Sequence, residues 1–351
     1  MAIKSQQLRQ SFLISGAGAA VLLVVFVAWL TSNRAGAVLE QQANVRGRDV
    51  ATRVAAIVTQ YLKERRREVV ALASQPQIIA AVREAGQSAS ERGLTRASIP
   101  DLEQMFSGTR QLGGDPVLRD YLRAYTTISD FAEIIVTESH GFNVLTSDKT
   151  SDFVQRDESW WQRAMTDGSY EGDARYDSSS NAASLEFDVA IRPPRSQNPI
   201  GVLKAVFALE RLTALLGTTQ LGGNAYLEVV DGRRTVLVSR ERALLLQSLP
   251  DSAIIPFTPD VATARVNTRG AEELVVTVPA NQGEWWVLYR EPTATAFAAA
   301  RSTQRTVWLG ALLVAAVAVG ALFWLSQRLG RLVTEPVRAA GAIASRVAGG
   351  D

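Results

Sequence analysis

The sequence contains no cysteine and one histidine, His140, in 351 residues. The first absence removes disulfides, thiolate metal sites and cysteine nucleophiles together. The second leaves no spare imidazole for a histidine-rich metal site or a Ser/His/Asp triad. Charge of one sign is also scarce: 37 Lys and Arg stand against 35 Asp and Glu, a formal net charge of +2. The basic residues are scattered and no nucleic-acid-binding motif is present, so no nucleic-acid partner is expected. No nucleophile–base pair or paired-carboxylate setting stands out, which argues against an enzyme, an extracytoplasmic hydrolase included, and no cofactor is expected. What the chain has is apolar content, 47% of its residues, enough for two cores of ordinary size.

Two stretches lack charge altogether. SFLISGAGAAVLLVVFVAWL, Ser11–Leu30, and VWLGALLVAAVAVGALFWLS, Val307–Ser326, each have the length of about 20 residues that a helix needs to cross a bilayer. Lys4 and Arg9 ahead of the first, with Ala35, Gly36 and Ala37 after it, also fit a signal peptide. The apolar run exceeds an h-region of about 7–15 residues, however, so an uncleaved anchor is the reading taken. Gly16 and Gly18 then mark helix packing. The tail carries Lys4 and Arg9 without an acid, and the segment after the second span carries Arg328, Arg331, Arg338 and Arg346 against Glu335 and Asp351. Both termini are therefore expected in the cytoplasm and the region between the spans outside the membrane.

Between the spans, Val50, Val54, Ile57, Val58, Tyr61, Val69 and Leu72 recur at spacings of three and four, and predict a long helix over about 37–74, ending before Pro76. Such a helix, on the order of 55 Å long, is longer than one small domain covers and is expected to pair with its copy in a homodimer. The charged run KERRRE, Lys63–Glu68, reads as a solvated face. Residues 83–100, with Gly86, Ser88, Ser90 and Gly93, read as a linker, and about 100–127 as a second helical stretch. The period then changes to two. Phe131–Thr137 and Gly141–Ser147 form a hairpin around SHG, where His140 is an exposed turn residue. Strands follow at Ser184–Arg192 and Ile200–Leu209, with a short helix at Glu210–Leu216. The order returns with Tyr226–Val230 and Thr235–Ser239 about Asp231-Gly232, a helical interruption at Arg240–Leu249, and strands at Thr263–Thr268, Glu273–Pro279 and Glu284–Arg290. The fold class expected is α+β: two antiparallel-sheet modules in series on one long helix, flanked by two transmembrane helices.

That order resembles the double Cache sensors, PAS-like extracytoplasmic input domains of bacterial transmembrane receptors. The likeness covers about 32–292. It is most specific in FVQRDESWWQRAMTDGSYEGDARYDSSSNAASLEFDVAIRPP and NPIGVLKAVFALERL, which are similar to the family's ligand-binding half. RLGRLVTEPVRAAGAIASRVAGGD, Arg328–Asp351, resembles the first helix of a HAMP relay, with Pro336 early and Gly350-Asp351 at its end. The resulting division is a tail 1–10, a span 11–30, a sensor 31–306, a span 307–326 and a HAMP start 327–351. Within the sensor, a distal module covers about 100–217 and a proximal module about 218–292. The resemblance implies a signal-transduction receptor in the inner membrane. Its partners would be a small-molecule ligand, a second copy and a cytoplasmic signalling partner or output domain. A chain that binds no ligand and regulates a separate kinase or cyclase through the membrane is the alternative.

RDESWWQRAM, Arg156–Met165, carries the site. Ser159 and Gln162 have the spacing of a capping box, and Gly168 provides a stop. Trp160 and Trp161 then open a short helix about 100° apart, so one packs on the sheet while the other faces the space between. The free amides at the helix start favour an anionic or zwitterionic ligand. Trp285-Trp286, in a strand, point to opposite faces. In SLEFDVAIR, Glu186, Asp188 and Arg192 lie on a polar face that looks either at solvent or into the pocket. Asp173, Tyr176 and Asp177 lie on the loop that closes over the same space. The resemblance implies that the tryptophan helix walls the pocket. It also exposes departures, for Glu158 and Val206 stand where the amino-acid-binding branch has an arginine and an aspartate. Asp177 matches that branch's loop aspartate, with Tyr176 its partner after a one-residue shift. Arg156 replaces the missing arginine only if the helix starts two residues earlier.

Overall fold

The computed structural model describes residues 2–113, 115–177, 182–268 and 270–348. The helical side chains of 2–14, 17, 326 and 329–348 lie outside that description, as do residues 178–181 and Gly350-Asp351. The chain divides into two units, Met1–Val45 with Thr293–Asp351, and Arg46–Pro292.

The first unit is helical. Helix α1, Ala2–Ala73, begins there, and α7, Thr293–Ala296, and α8, Ala298–Ala348, belong to it. The stretches from Gly18 in α1 and Ala298–Leu325 in α8 are long and apolar enough to cross a membrane. Their large apolar side chains, among them Leu22, Leu23, Phe26, Leu312, Leu313 and Phe323, point outward, as lipid-facing groups do when no other helix covers them.

The second unit holds the rest of α1. Val50, Val54, Val58, Tyr61, Leu62, Val69 and Leu72 form one buried stripe along it, the helical repeat seen in the sequence. Helix α2, Pro76–Glu91, starts with proline in its first turn, where the missing N–H costs nothing. The linker expected over 83–100 is thus corrected. Ile78, Ile79, Val82 and Ala89 bury one face of α2, and that apolar stripe outweighs the helix-weakening glycine and serines. The chain turns at Gly93 (φ 66°) into a 3-10 turn, Leu94–Arg96. Two helices follow where one was expected: α3, Ile99–Met105, capped by the Ser98 hydroxyl, and α4, Pro116–Ile128, capped by the Asp115 carboxylate.

Strands β1, Phe131–Thr137, and β2, Asn143–Thr146, form a hairpin. After α5, Ser159–Asp167, come β3, Ser169–Glu171, β4, Arg175–Asp177, β5, Ala182–Ile191, β6, Gly201–Ala208, and α6, Leu209–Gly217. The second set is β7, Tyr226–Asp231, β8, Val236–Val238, β9, Ala262–Thr268, β10, Ala271–Ala280, and β11, Trp285–Pro292. Between β8 and β9 the expected helix is only a 3-10 turn, Arg242–Leu244. The two sheets, β2-β1-β6-β5-β3 and β8-β7-β11-β10-β9, share one topology, with β4 as an extra strand on β5. All pairings are antiparallel. In each module the last long strand pairs with the first, so β6 and β11 are central.

One face of each sheet packs with the α1 stripe in a common core: Ile134, Val136, Leu185, Phe187, Leu203 and Phe207 from the first, Val229, Val276, Val278, Trp285 and Val287 from the second. Full burial of such a side chain contributes about 1.5–3 kcal/mol. The opposite face of the second sheet is closed by Leu249, Ile255 and Phe257 packing on Val230, Val275 and Leu288. Trp286 lies there, with Phe257 edge-on at 5.8 Å and the Arg234 guanidinium 4.3 Å from its ring centre. The tryptophan pair in β11 is therefore split between faces, as strand alternation requires. The opposite face of the first sheet is different in kind, and α5 lies over it.

A candidate ligand site between helix α5 and the first sheet

The chain reaches α5 through a small aromatic core. Phe153 is stacked between Phe106, at 4.0 Å, and Phe142, at 5.3 Å. The Glu103 carboxylate accepts from the amides of Phe153 and Val154. Gly141 (φ 78°) lets the β1–β2 turn approach this segment; a Cβ there would lie 2.5 Å from the Arg156 amide nitrogen. Arg156 lies over the Phe142 ring at 5.2 Å and donates to the His140 carbonyl. His140 itself is part of a local turn, its Nδ1 2.8 Å from the Glu138 carboxylate.

Helix α5 begins one residue earlier than a Ser159 cap implies. Glu158 is the N-cap and makes no side-chain capping bond. Gln162 donates instead to the Arg156 carbonyl at 2.9 Å, so the expected box is replaced by a bond that closes the preceding loop. Gly168 (φ 92°) ends the helix, as expected. Trp160 and Trp161 occupy its second and third positions. Trp160 is 2% exposed and packs with Ala164 and Val202. The Lys204 ammonium lies 4.7 Å from its ring centre. Trp161 is half-buried, and its indole N–H donates to the Thr137 hydroxyl at 2.9 Å. The Thr137 hydroxyl in turn donates to the Val202 carbonyl at 3.2 Å, so the indole is tied to the β1–β6 pair.

The face beneath is polar and buried. Register places Glu133 opposite Val206, Asp188 opposite Lys204 and Tyr170 opposite Asp188. Glu186, next along this face of β5, takes both neighbouring cations: Lys204 Nζ at 2.9 Å and Arg175 Nη2 at 2.7 Å. Asp188 is 0% exposed, and neither of its carboxylate oxygens has a hydrogen-bond partner. Burial, reinforced by the Glu186 charge and opposed by Lys204 and Arg175, holds its carboxyl well above the ordinary carboxylate range.

A carboxyl raised in the folded state gives stability that is complete below its unfolded range, about pH 4, and is lost as pH rises through its folded value. Replacing Asp188 with Asn removes that charging cost. The variant is expected to unfold at a temperature no lower than the parent near pH 7, and to lose the part of the parent's stability decline between acid and neutral pH that Asp188 causes. Parallel pH–stability curves for the two proteins would contradict this.

The structure brings together Trp160, Trp161 and Asp188, and adds Glu186, Lys204, Arg175 and Thr137. Asp177 pairs with Ala182 and lies on the same face of β5 as Asp188; Tyr176 pairs with Ala183, lies on the other face and is 59% exposed. Asp173 is at the surface, paired with Arg233 of the β7–β8 turn at 2.7 Å. Arg192 donates to the Gln197 carbonyl, away from the cluster. Lys204 had a signal in the sequence: it is the one cation in the apolar strand GVLKAVFA. Among the described residues no cluster of His, Asp or Glu is arranged to hold a metal ion.

Several solved domains resemble the chain. The ligand-binding domain of the Pseudomonas fluorescens chemoreceptor CtaA, in complex with L-isoleucine, is 15% identical, with 74% of this chain and 97% of that one covered and a TM-score of 0.48. The ligand-binding domain of the Pseudomonas aeruginosa amino-acid chemoreceptor PctB, in complex with L-Arg, is 17% identical over 71% and 95%, with a TM-score of 0.45. That of PctC from the same organism, in complex with GABA, is 17% identical over 71% and 100%, with a TM-score of 0.47. No curated protein matches the chain. The Cache domain family dCache_1 matches residues 35–300. A sensor domain between two spanning helices makes this an inner-membrane protein with its sensor outside the cytoplasm. By that match, which takes in most of the sequence and both sheets, the chain belongs to the dCache_1 family of Cache sensor domains.

Proposed function

We propose that the chain is the input half of a transmembrane signalling receptor, and that its first module binds a small molecule between α5 and the face of β5 and β6. The observation that carries this is Asp188. A buried carboxylate with no partner is costly, and a ligand that meets it would offset that cost only when bound. Trp161 walls the site beside the buried ring of Trp160, Asp177 borders it, and Arg156 fixes the loop that enters α5. Asp173 and Tyr176 take the role of an outer rim. The second module is a relay that carries the change to α8 and onward to a HAMP-type segment and an output domain. The receptor acts as a parallel homodimer along α1, where Val45, Ile57 and Val70 remain exposed. Cysteines placed along α1 cross-link with a period of three to four residues if so, and without periodicity if not.

A ligand present at about 100 times its Kd should stabilise the full chain by about 2.7 kcal/mol. A thermal-unfolding screen of the protein in lipid nanodiscs against amino acids, amines, organic acids and purines tests the reading. At least one compound is expected to raise the transition; a flat response across all four classes contradicts it.

Arg66 supports the route between modules. It donates to both Glu171 oxygens at 2.8 Å, at the end of β3, and to Asn281 of the second module at 3.0 Å. Burial raises the Glu171 pKa while Arg66 only partly opposes the rise, so this pair is partly shielded from solvent and its attraction does not fully offset the desolvation. This corrects the solvated-face reading of Lys63–Glu68, since Arg65 also pairs with Asp130 at 3.0 Å and Glu68 accepts from Tyr125. Arg66→Ala is expected to preserve ligand affinity within about threefold, an allowance below the typical coupling energy of 1–3 kcal/mol, while weakening signal output. Measured ligand binding and output falling together would place Arg66 in the binding site instead.

A further inference from the structure

We infer that the ligand of the first module carries a cation, an ammonium or a guanidinium, which pairs with Asp188 and displaces its proton. This rests on the reading that the α5–sheet face is a ligand site.

The charges on that face are already distributed. Lys204 and Arg175 are both held by Glu186. Asp188, directly opposite Lys204 in register, is left with neither oxygen bonded and no water access. Glu133 and Asp177 add further carboxylates to the same face by register. The other groups around Asp188 are Tyr170, opposite it on β3, and Arg163 of α5, whose guanidinium lies 5.2 Å from the Tyr170 ring centre. An anion placed here would meet a carboxylate. A cation would meet an acceptor that the described residues leave unmatched.

The second module shows such a face filled. On β7 Glu228 stands opposite Leu288, and Arg290, two residues further along the same face of the central strand, stands opposite Tyr226. Arg290 is 0% exposed. Its guanidinium donates to Glu228 at 3.0 Å, to Glu273 at 2.9 Å, to the Thr268 hydroxyl at 2.8 Å, and to Asp251. The same topology thus closes its acidic face with a guanidinium of its own in one module. In the other the central strand's cation, Lys204, is held by Glu186, and the Asp188 carboxyl is left without a partner.

The exchange balances simply. The protonated Asp188 carboxyl releases its proton to solvent as the ligand's cation enters, and the carboxylate–cation pair replaces the O–H. Affinity should therefore rise with pH, by up to tenfold per pH unit below the Asp188 titration.

The test is calorimetry on the full chain in nanodiscs with agmatine, putrescine and methylguanidinium as cationic probes, and succinate and L-alanine as an anion and a zwitterion. Each titration is run in two buffers of different ionisation enthalpy. We expect at least one cationic probe to bind with net proton release, to weaken on acidification, and to lose at least tenfold in affinity in Asp188→Asn, whose folding is checked by its own melting curve. Should that variant fail to fold, proton release by the parent decides. Binding of succinate alone, abolished by Trp161→Ala, or of L-alanine with its affinity kept in Asp188→Asn, would overturn the cation and leave the sensor reading intact. Binding of a cation without proton release or without loss in Asp188→Asn would also overturn it. Silence from all five probes, together with a flat thermal screen, would remove both.

Discussion

Arg290→Met is expected to destabilise the protein by about 3–5 kcal/mol, the largest single effect in the molecule. Burial alone would depress the arginine's pKa, but its bonds to Asp251 and the charges of Glu228 and its neighbours outweigh that and hold it above its ordinary value. Removing the guanidinium leaves Glu228, Glu273 and Asp251 facing one another with no cation among them, and Tyr226, which donates to Glu273 at 2.9 Å, loses the group that anchored its acceptor. Against a total stability of about 5–15 kcal/mol for a domain, that loss brings the second module close to unfolding. The triple variant Arg290→Met, Glu228→Gln, Glu273→Gln removes charge along with its partner and should recover most of the loss, because a buried ion pair replaced by neutral groups is often nearly neutral. Thermal unfolding followed by near-ultraviolet circular dichroism measures both. A single variant within about 1 kcal/mol of the parent, the scale of a surface pair, would show that water reaches the cluster.

Trp160→Ala should follow, at about 3–5 kcal/mol. Its ring is enclosed by Ala164, Val202 and the Lys204 side chain, and removal both opens a cavity and strips cover from a buried ion pair. Trp161→Ala should cost less, about 1–2 kcal/mol for one hydrogen bond and partial burial, while abolishing the ligand-induced shift. Adjacent helical positions differing in this way is the signature of one wall residue and one core residue. Equal destabilisation, with affinity of the folded fraction unchanged in both, would make the pair plain core.

The architecture was legible because it rests on periodicity. Two uncharged stretches long enough for a bilayer, a three-and-four repeat from Val50 to Leu72, and alternation in the later strands each report a face that must be buried. The second sheet was readable from the Asp231-Gly232 turn and the runs that flank it. Residues 83–91 were misread because composition, Gly86 with Ser88 and Ser90, was weighed above the stripe of Ile78, Val82 and Ala89 that holds them in α2. The cap of α5 was displaced by one residue because Gln162 has a competing acceptor, the Arg156 carbonyl, that only the folded loop presents.

The geometry of the candidate site was legible in part. Trp160, Trp161 and Asp188 were identifiable from a tryptophan pair at a helix start and an acid in an apolar strand. Which side of β5 lies under α5 was not, since alternation fixes two faces without saying what covers each. Arg175 and Thr137 come from segments distant in sequence, and pairing with β5 and β6 brings them to Glu186 and Trp161. Tyr176, one residue from Arg175, is carried to the opposite face by the same pairing.

Hydrogen exchange on the full chain, with and without the compound that gives the largest thermal shift, tests the central claim most directly. If the first module is the ligand site, protection increases in Ser159–Asp167, Ala182–Ile191 and Gly201–Ala208, and the face of β11 around Arg290, already filled by the chain itself, binds nothing directly. Protection confined to the second module, or no change in either, would contradict the account.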